Sequence, residues 1–324
     1  MTNENSNFTN FKIHTQYSIC EGAIKIEDLA QYCKDNKIKA IGLSDSFNLC
    51  GALEFSETIS KVGTQPIIGT QINFKYNDTI GKLPIFAKSE TGYGNLVKLS
   101  SKSFLEPYEK DSSNCSIDDL FKNSKDIIVL SGGIDSLFSN LIKKNKIKDV
   151  EILTAKLKEN FANSFYFEIQ RHNDEGEKII ENIFLNLSKK NNIPLIASQE
   201  VFYINDDMYE AHDALLCIGE KTYVDEKNRK KYSNQHYLKS SNELKKLYSD
   251  IPEALENNYN FPFRFNFKPK KSKPILPSLK ISNNRTEEDE LILQSQEGLK
   301  NRLNKFVLKK NPQSNSKEIT KLYK

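Results

Sequence analysis

The chain has 324 residues, 28% charged and 37% hydrophobic, with a formal charge of +4; this length suits one large domain plus an appended piece, and the apolar residues suffice for a core. So small a charge permits a nucleic-acid partner without requiring one. No stretch reaches the roughly 18 apolar residues that cross a bilayer, the polar start MTNENSNFTN lacks a signal-peptide centre, and five scattered cysteines form no C-x-x-C pair, so reduced thiols and a cytoplasmic location are expected.

After a polar tail (1–10), short apolar runs alternate with segments of helical period, the pattern of βα units around a mainly parallel sheet. A helix is expected over 25–37, with Ile26, Leu29, Ala30 and Cys33 on one face, then a strand over 39–44 (KAIGLS) and a helix over 51–62. Strands follow at 66–74 (PIIGTQINF), 83–88 (LPIFAK), 126–131 (DIIVLS) and 164–170 (SFYFEIQ), then a helix at 175–191 and a strand at 194–198. The fold class is α/β, with a barrel-like (β/α) core of about seven units over 8–205, although a doubly wound sheet gives the same one-dimensional pattern.

From 206 the pattern turns helical, and 206–265 reads as a helical extension. The segment 206–218 (DDMYEAHDALLCI) is a helix with an acidic start, and SSNELKKLYSDIPEALENNYNF gives two short helices broken near Pro252. In NFPFRFNF (260–267) the alternating phenylalanines fit either a base-stacking strip or a half-buried strand, and the strand is preferred. A Pro- and Lys-rich linker or arm spans 266–285, and helical period resumes over 287–308.

The segments FKIHTQYSICEGA (11–23), AIGLSDSFNLCGALEF (40–55), DIIVLSGG, FYFEIQRH, PLIASQEVFY and above all AHDALLCIGEKTYVDEKNR followed by YLKSSNEL carry a resemblance that covers nearly the whole chain. It is to the polymerase-and-histidinol-phosphatase (PHP) domain that opens bacterial replicative DNA polymerase III alpha subunits. The resemblance implies a barrel whose strand ends, in active members, hold two or three metal ions that polarise a phosphate and activate water. Here the family's H-x-H-x-H corresponds to Asn10, Lys12 and His14. Its later acidic residue is kept as Glu21, while other ligand positions fall on Ser46, Gln71, Lys82 and Gly133, and the last D-x-H on Glu200 and Phe202. Ammonium, amide and phenyl groups cannot hold a metal cluster, so a degenerate site with no cofactor of its own is expected. The four histidines cannot rebuild the set: His14 reads as a strand-end residue with ordinary hydrogen bonds, His172 as a residue at a strand end, and His212 and His236 as packing or hydrogen-bonding groups. Asp45 reads as a structural carboxylate or a helix cap.

A parent polymerase would bind Mg2+ through an Asp-x-Asp pair in its palm. No such pair occurs here, and 286–324 reads as the truncated start of the palm, so a fragment, a truncated product or a split piece is expected. Asp118-Asp119 and Asp206-Asp207 are better read as helix starts. The basic run KNRKK reads as a solvated face, and Lys268, Lys270, Lys271 and Lys273 are weak candidates for phosphate contact. The expected role is that of a metal-free structural domain of the polymerase subunit. Its implied partners are the proofreading exonuclease subunit, other holoenzyme subunits and, through the parent protein, DNA. The alternative is a metal-dependent phosphoesterase or 3′–5′ exonuclease assembled from His14, Glu21, Asp45 and Glu200; a stand-alone histidinol-phosphatase-like enzyme is opposed by the polymerase-type block.

Overall fold

A computed structural model of the chain describes residues 8–109, 112–275, 277–278, 281, 285–308, 317–318 and 321. They fall into two compact units, Met1–Lys271 and Ser272–Lys324. The first holds strands β1 (Lys12–Ile13), β2 (Ala40–Ser46), β3 (Gln65–Tyr76), β4 (Thr79–Ala87), β5 (Cys115–Ser116), β6 (Ile127–Leu130), β7 (Phe165–Ile169), β8 (Leu195–Ala197) and β9 (Glu200–Val201). Its helices are α1 (Ile26–Asp35), α2 (Ala52–Lys61), α3 (Glu90–Leu105), α4 (Ile117–Lys122), α5 (Leu137–Lys143), α6 (Ile147–Phe161), α7 (Glu177–Asn191), α8 (Tyr209–Glu220), α9 (Ser241–Leu247) and α10 (Pro252–Asn260). The second unit contains α11 (Glu287–Arg302), capped by Thr286 with Asp289 and rich in acid in its first turn. No helix among the described residues is long and apolar enough to cross a membrane.

The sheet runs β8-β7-β6-β4-β3-β2-β1-β9, with β5 added beside β3. Its two edge strands, β8 and β9, are consecutive in the chain. From Ala197 to Glu200 three residue steps reach at most about 11 Å, so the two edges lie side by side and the sheet curls into a nearly closed barrel. The helical extension seals the seam. Asn258 of α10 donates to Thr9 O (3.0 Å) on one side and Ala197 O (2.9 Å) on the other, and accepts from Thr9 N–H (2.8 Å). Tyr248 adds a hydrogen bond to Ser198 O at 2.6 Å.

The expected βα alternation breaks at β4, which is antiparallel to both β3 and β6. The cause is a tight turn at Asn77-Asp78, where Asn77 takes φ 53°, a conformation that asparagine tolerates and that suits a two-residue hairpin. NFPFRFNF is not the expected strand: Phe261–Arg264 form a 3-10 turn started by Pro262, which buries Phe261 and Phe265 and leaves Phe263 85% exposed. The N-cap of α9 is Ser240, paired with Glu243 in a capping box. Asp118-Asp119 and Asp206-Asp207 do stand in first turns.

Along each barrel strand the inward side chains change from apolar at its lower end to polar at its upper end. On β2 they run Ala40, Ser44, Ser46; on β3 Ile67, Gly69, Gln71; on β7 Tyr166, Glu168, Gln170. The lower half is filled by Ile67, Phe86, Ile128, Leu130 and Tyr166 and plugged by Phe261 and Phe265. The outward residues, such as Ile127, Val129, Phe165 and Phe167, pack under the helices. The polar half lies at the carboxyl ends of the parallel strands, where barrel proteins build their sites.

Candidate functional site

Lys12 is the centre of the polar half. Although β1 is only two residues long, it is flanked by β2 and β9, so the inward side chain of Lys12 is held in the middle of the barrel and fully buried. Its Nζ lies 3.1 Å from Glu168 Oε1 and 3.5 Å from Glu200 Oε2. Burial alone would drive this ammonium toward the neutral form, but the two carboxylates outweigh it and its pKa is raised. Burial likewise favours a neutral Glu200, yet Lys12 and His14 hold its carboxyl well below the usual range. Both directions describe one buried ion group.

His14 continues the group upward. Its Nε2 is 2.9 Å from Glu200 Oε1 and its Nδ1 is 3.1 Å from Ser18 Oγ, while Gln71 donates to the same Glu200 oxygen at 2.6 Å. Ser18 in turn donates to Asp45 Oδ1 (2.7 Å), which also accepts from Thr15 N–H (2.7 Å). Asp45 is therefore a structural carboxylate that pins the loop after β1, not a helix cap. Phe202 stands beside His14 with ring centroids 4.6 Å apart and supplies a face, not a ligand. Asn10 is apart from the group: its amide reaches Lys239 O at 3.5 Å and its Oδ1 has no partner.

A second ion group closes the mouth. Glu21 receives Lys82 Nζ at 2.9 Å and Lys230 Nζ at 3.0 Å on one oxygen and the Ser46 hydroxyl on the other. Burial pushes this carboxyl up, but the two ammonium groups dominate and hold it far below its ordinary range. Lys230 belongs to a strap, residues 229–237, that crosses the upper end of the barrel. Arg229 forms a two-pronged pair with Asp213 of α8 (2.6 Å for each bond), and Tyr232 donates to Asp135 (2.8 Å) in the loop after β6. Ser233 N–H reaches Asp174 (2.8 Å) after β7, and Gln199 between β8 and β9 donates to Tyr237 O (2.8 Å). The strap thus bonds to loops from four strand ends.

At Gly133, aligned with a family cysteine, a Cβ would stand 1.9 Å from Gln170 Oε1, so a side chain there would require the Gln170 amide to move. Gln170 fills that space and donates to Glu168 at 2.7 Å. The donor set does not fit a multinuclear metal cluster. The carboxylate oxygens that would bind ions already surround ammonium groups, and positions that need imidazoles carry Lys12, Ser46, Lys82 and Phe202.

His172 and Asp174, spaced as H-x-D, come together with His236 from far along the sequence. The imidazoles of His172 and His236 are stacked, 4.1 Å between centroids and 4° between planes. A histidine nitrogen binds metal in the plane of its ring at about 2.0–2.1 Å, so an ion in one plane lies off the other. Each nitrogen also has a partner: His172 has Glu177 Oε1 (3.0 Å) and Glu200 N–H (3.1 Å), and His236 has Glu200 O (3.0 Å) and Asp174 (2.8 Å). Burial drives His172 well below its ordinary pKa and raises Glu177 to about 8. The trio is a hydrogen-bonded anchor for the strap.

The structure brings His14, Glu21, Ser46, Gln71, Lys82 and Glu200 into one connected site with Lys12, as their alignment implies. Sequence reasoning missed Glu168, Lys230, Asp135 and Gln170. Glu168 had a signal, a lone carboxylate inside the apolar strand FYFEI; Lys230 had none, because KNRKK resembles any solvated basic run. In fact the side chain of Arg229 is buried and Lys230 is turned inward.

A family model described as the PHP domain matches residues 10–172. DNA polymerase III subunit alpha of Caulobacter vibrioides is 33% identical over 318 residues, covering 94% of this chain and 27% of that protein. The subunit of the same name from Borreliella burgdorferi is 35% identical over 289 residues, covering 85% of this chain and 25% of that protein. The chain thus spans about a quarter of the length of these curated relatives. Among solved structures, a two-domain protein from Bacteroides vulgatus, described as containing a predicted PHP-like metal-dependent phosphoesterase, is 13% identical with a TM-score of 0.40, covering 74% of this chain and 62% of that one. The chain belongs to the PHP domain family, in the form this region takes at the start of DNA polymerase III alpha subunits.

Proposed function

We propose that this chain serves as the amino-terminal region of the alpha subunit of a cytoplasmic replicative DNA polymerase, and that its PHP barrel is a metal-free structural domain. The parent activity is template-directed DNA synthesis, with Mg2+ bound in a palm outside this chain. The observation that carries the structural reading is the ammonium of Lys12 buried between Glu168 and Glu200, where a hydrolytic site would hold cations. Lys82 and Lys230 neutralise the remaining acid, Glu21, and the 229–237 strap lies across the entrance. With these ammonium groups in place, a phosphodiester at the strand ends would meet cations of the protein's own and not the metal ions that polarise it in active members of the family.

The reading also assigns the domain a docking role toward the proofreading exonuclease subunit. Incubation of the purified chain with single-stranded DNA and bis(p-nitrophenyl) phosphate, with Mn2+ or Zn2+ added, is expected to give no metal-dependent hydrolysis. Hydrolysis that follows the chain through purification and is abolished by Glu200→Gln would overturn the structural reading. The docking role is tested separately with the exonuclease subunit from the same genome: binding at micromolar concentration supports it, and its absence removes it.

A further inference from the structure

The basic run after NFPFRFNF is laid along the lower end of the barrel, opposite the site described above. Asn266 N–H donates to Lys88 O (3.1 Å), and Gln65 at the start of β3 donates to Pro262 O (3.0 Å) and Phe265 O (3.2 Å). Farther on, Ser56 Oγ of α2 donates to Pro269 O (2.8 Å), Lys268 Nζ reaches Ser60 Oγ (2.8 Å), and Lys271 pairs with Glu57 (2.8 Å). The backbone of 265–271 is thereby fixed, and Pro269 is buried beneath it.

Two adjoining grooves flank this segment and share Ser60 and Lys268. One is lined by Lys61, Lys268, Lys270 and Lys271, the other by Lys39, Lys268 and residues 63–66. All five lysines are exposed, and Glu57 is the one acidic side chain among the lining residues. On the 3-10 turn that Gln65 holds in place, Phe263 turns its ring to solvent, 85% exposed. Ammonium groups along a groove, with an exposed ring on the turn that Gln65 of the same groove holds, form an arrangement that can follow a phosphate backbone and stack a base.

We propose that this lower groove binds the sugar-phosphate backbone of single-stranded nucleic acid without sequence preference, through Lys39, Lys61, Lys268, Lys270 and Lys271, with Phe263 as a stacking face. The binding is independent of the barrel's upper pocket and of its metal content. An acidic peptide would match the charge but not use the ring.

The test is fluorescence anisotropy of the full chain with a labelled single-stranded DNA oligonucleotide across a salt series. Affinity is expected to fall with salt, and the triple variant K268E/K270E/K271E to weaken binding at low salt about tenfold or more and flatten the logarithmic salt slope by about 2, each lost phosphate contact removing about 0.7. Phe263→Ala is expected to weaken binding while leaving the slope unchanged. Reversal of three exposed lysines elsewhere, K122E/K148E/K178E, is expected to have little effect, with circular dichroism showing that every variant is folded. The proposal is overturned by no binding, by equal loss in both triple variants, by a salt-independent affinity, or by polyglutamate or anionic vesicles binding as tightly as DNA.

Discussion

Lys12 and Glu168 are fully buried and Glu200 is only slightly exposed, so each charge depends on the others for its stability. Removing one partner of a buried ion group leaves uncompensated charge, typically about 3–5 kcal/mol of destabilisation. Lys12→Met is therefore expected to lower the urea midpoint by a loss of that order, and an unchanged midpoint would show that the carboxylates are solvated or protonated. His212 gives a separate, pH-dependent effect. Burial lowers its pKa to about 4, while its Nε2–H donates to Glu21 O at 2.9 Å. A histidine with a folded pKa below its unfolded value of about 6.5 contributes stability that is complete above that value and lost as pH falls through the folded one. The shift corresponds to about 3 kcal/mol, lost between roughly pH 6.5 and 4, and His172 acts in the same direction. Urea titrations at several pH values should show this decline, and His212→Gln should reduce its slope; a variant as acid-sensitive as the parent would contradict the assignment.

At the scale of elements, residues 229–235 of the strap are held through side chains, while backbone pairing of His236 and Tyr237 with Phe202 and Tyr203 fixes its end, and each side-chain tie can be cut singly. Lys230→Ala combined with Tyr232→Phe removes the ties to Glu21 and Asp135 while leaving the barrel strands untouched. Trypsin should then cleave near Arg229 faster than in the parent chain, with the barrel surviving as the resistant product; equal cleavage rates would mean that these bonds do not restrain the strap. The Ser240 cap of α9 gives a milder change, and Ser240→Ala should lower stability by about 1 kcal/mol in thermal melts. Long amphipathic helices such as α2 and α7 were legible because 3.6-residue spacing survives in the sequence. The hairpin β3–β4 was not, because both strands carry Ile and Phe whichever way they run, and the deciding residues are only Asn77 and Asp78. The phenylalanines of 260–267 misled for a related reason: Pro262 turned an apparent period of two into a spacing of four, Phe261 to Phe265.

Across the whole molecule, one sheet folded on itself brings residues 12, 71, 82, 168, 200 and 230 into contact, and no local pattern can announce such a meeting. The family resemblance supplied the alignment of Lys12, Gln71, Lys82 and Glu200. It did not supply Glu168 and Lys230, which the structure sets against Lys12 and Glu21. Nor could it show His172 against His236, which are joined by the strap returning over the barrel mouth. The pocket is thus a set of carboxylates neutralised by the protein's own cations. Its most direct test is the metal content of the purified full-length chain after equilibration with zinc and manganese and removal of free ions. Well under one bound ion per chain is expected, and two or more that survive dialysis would contradict a pocket filled by Lys12, Lys82 and Lys230.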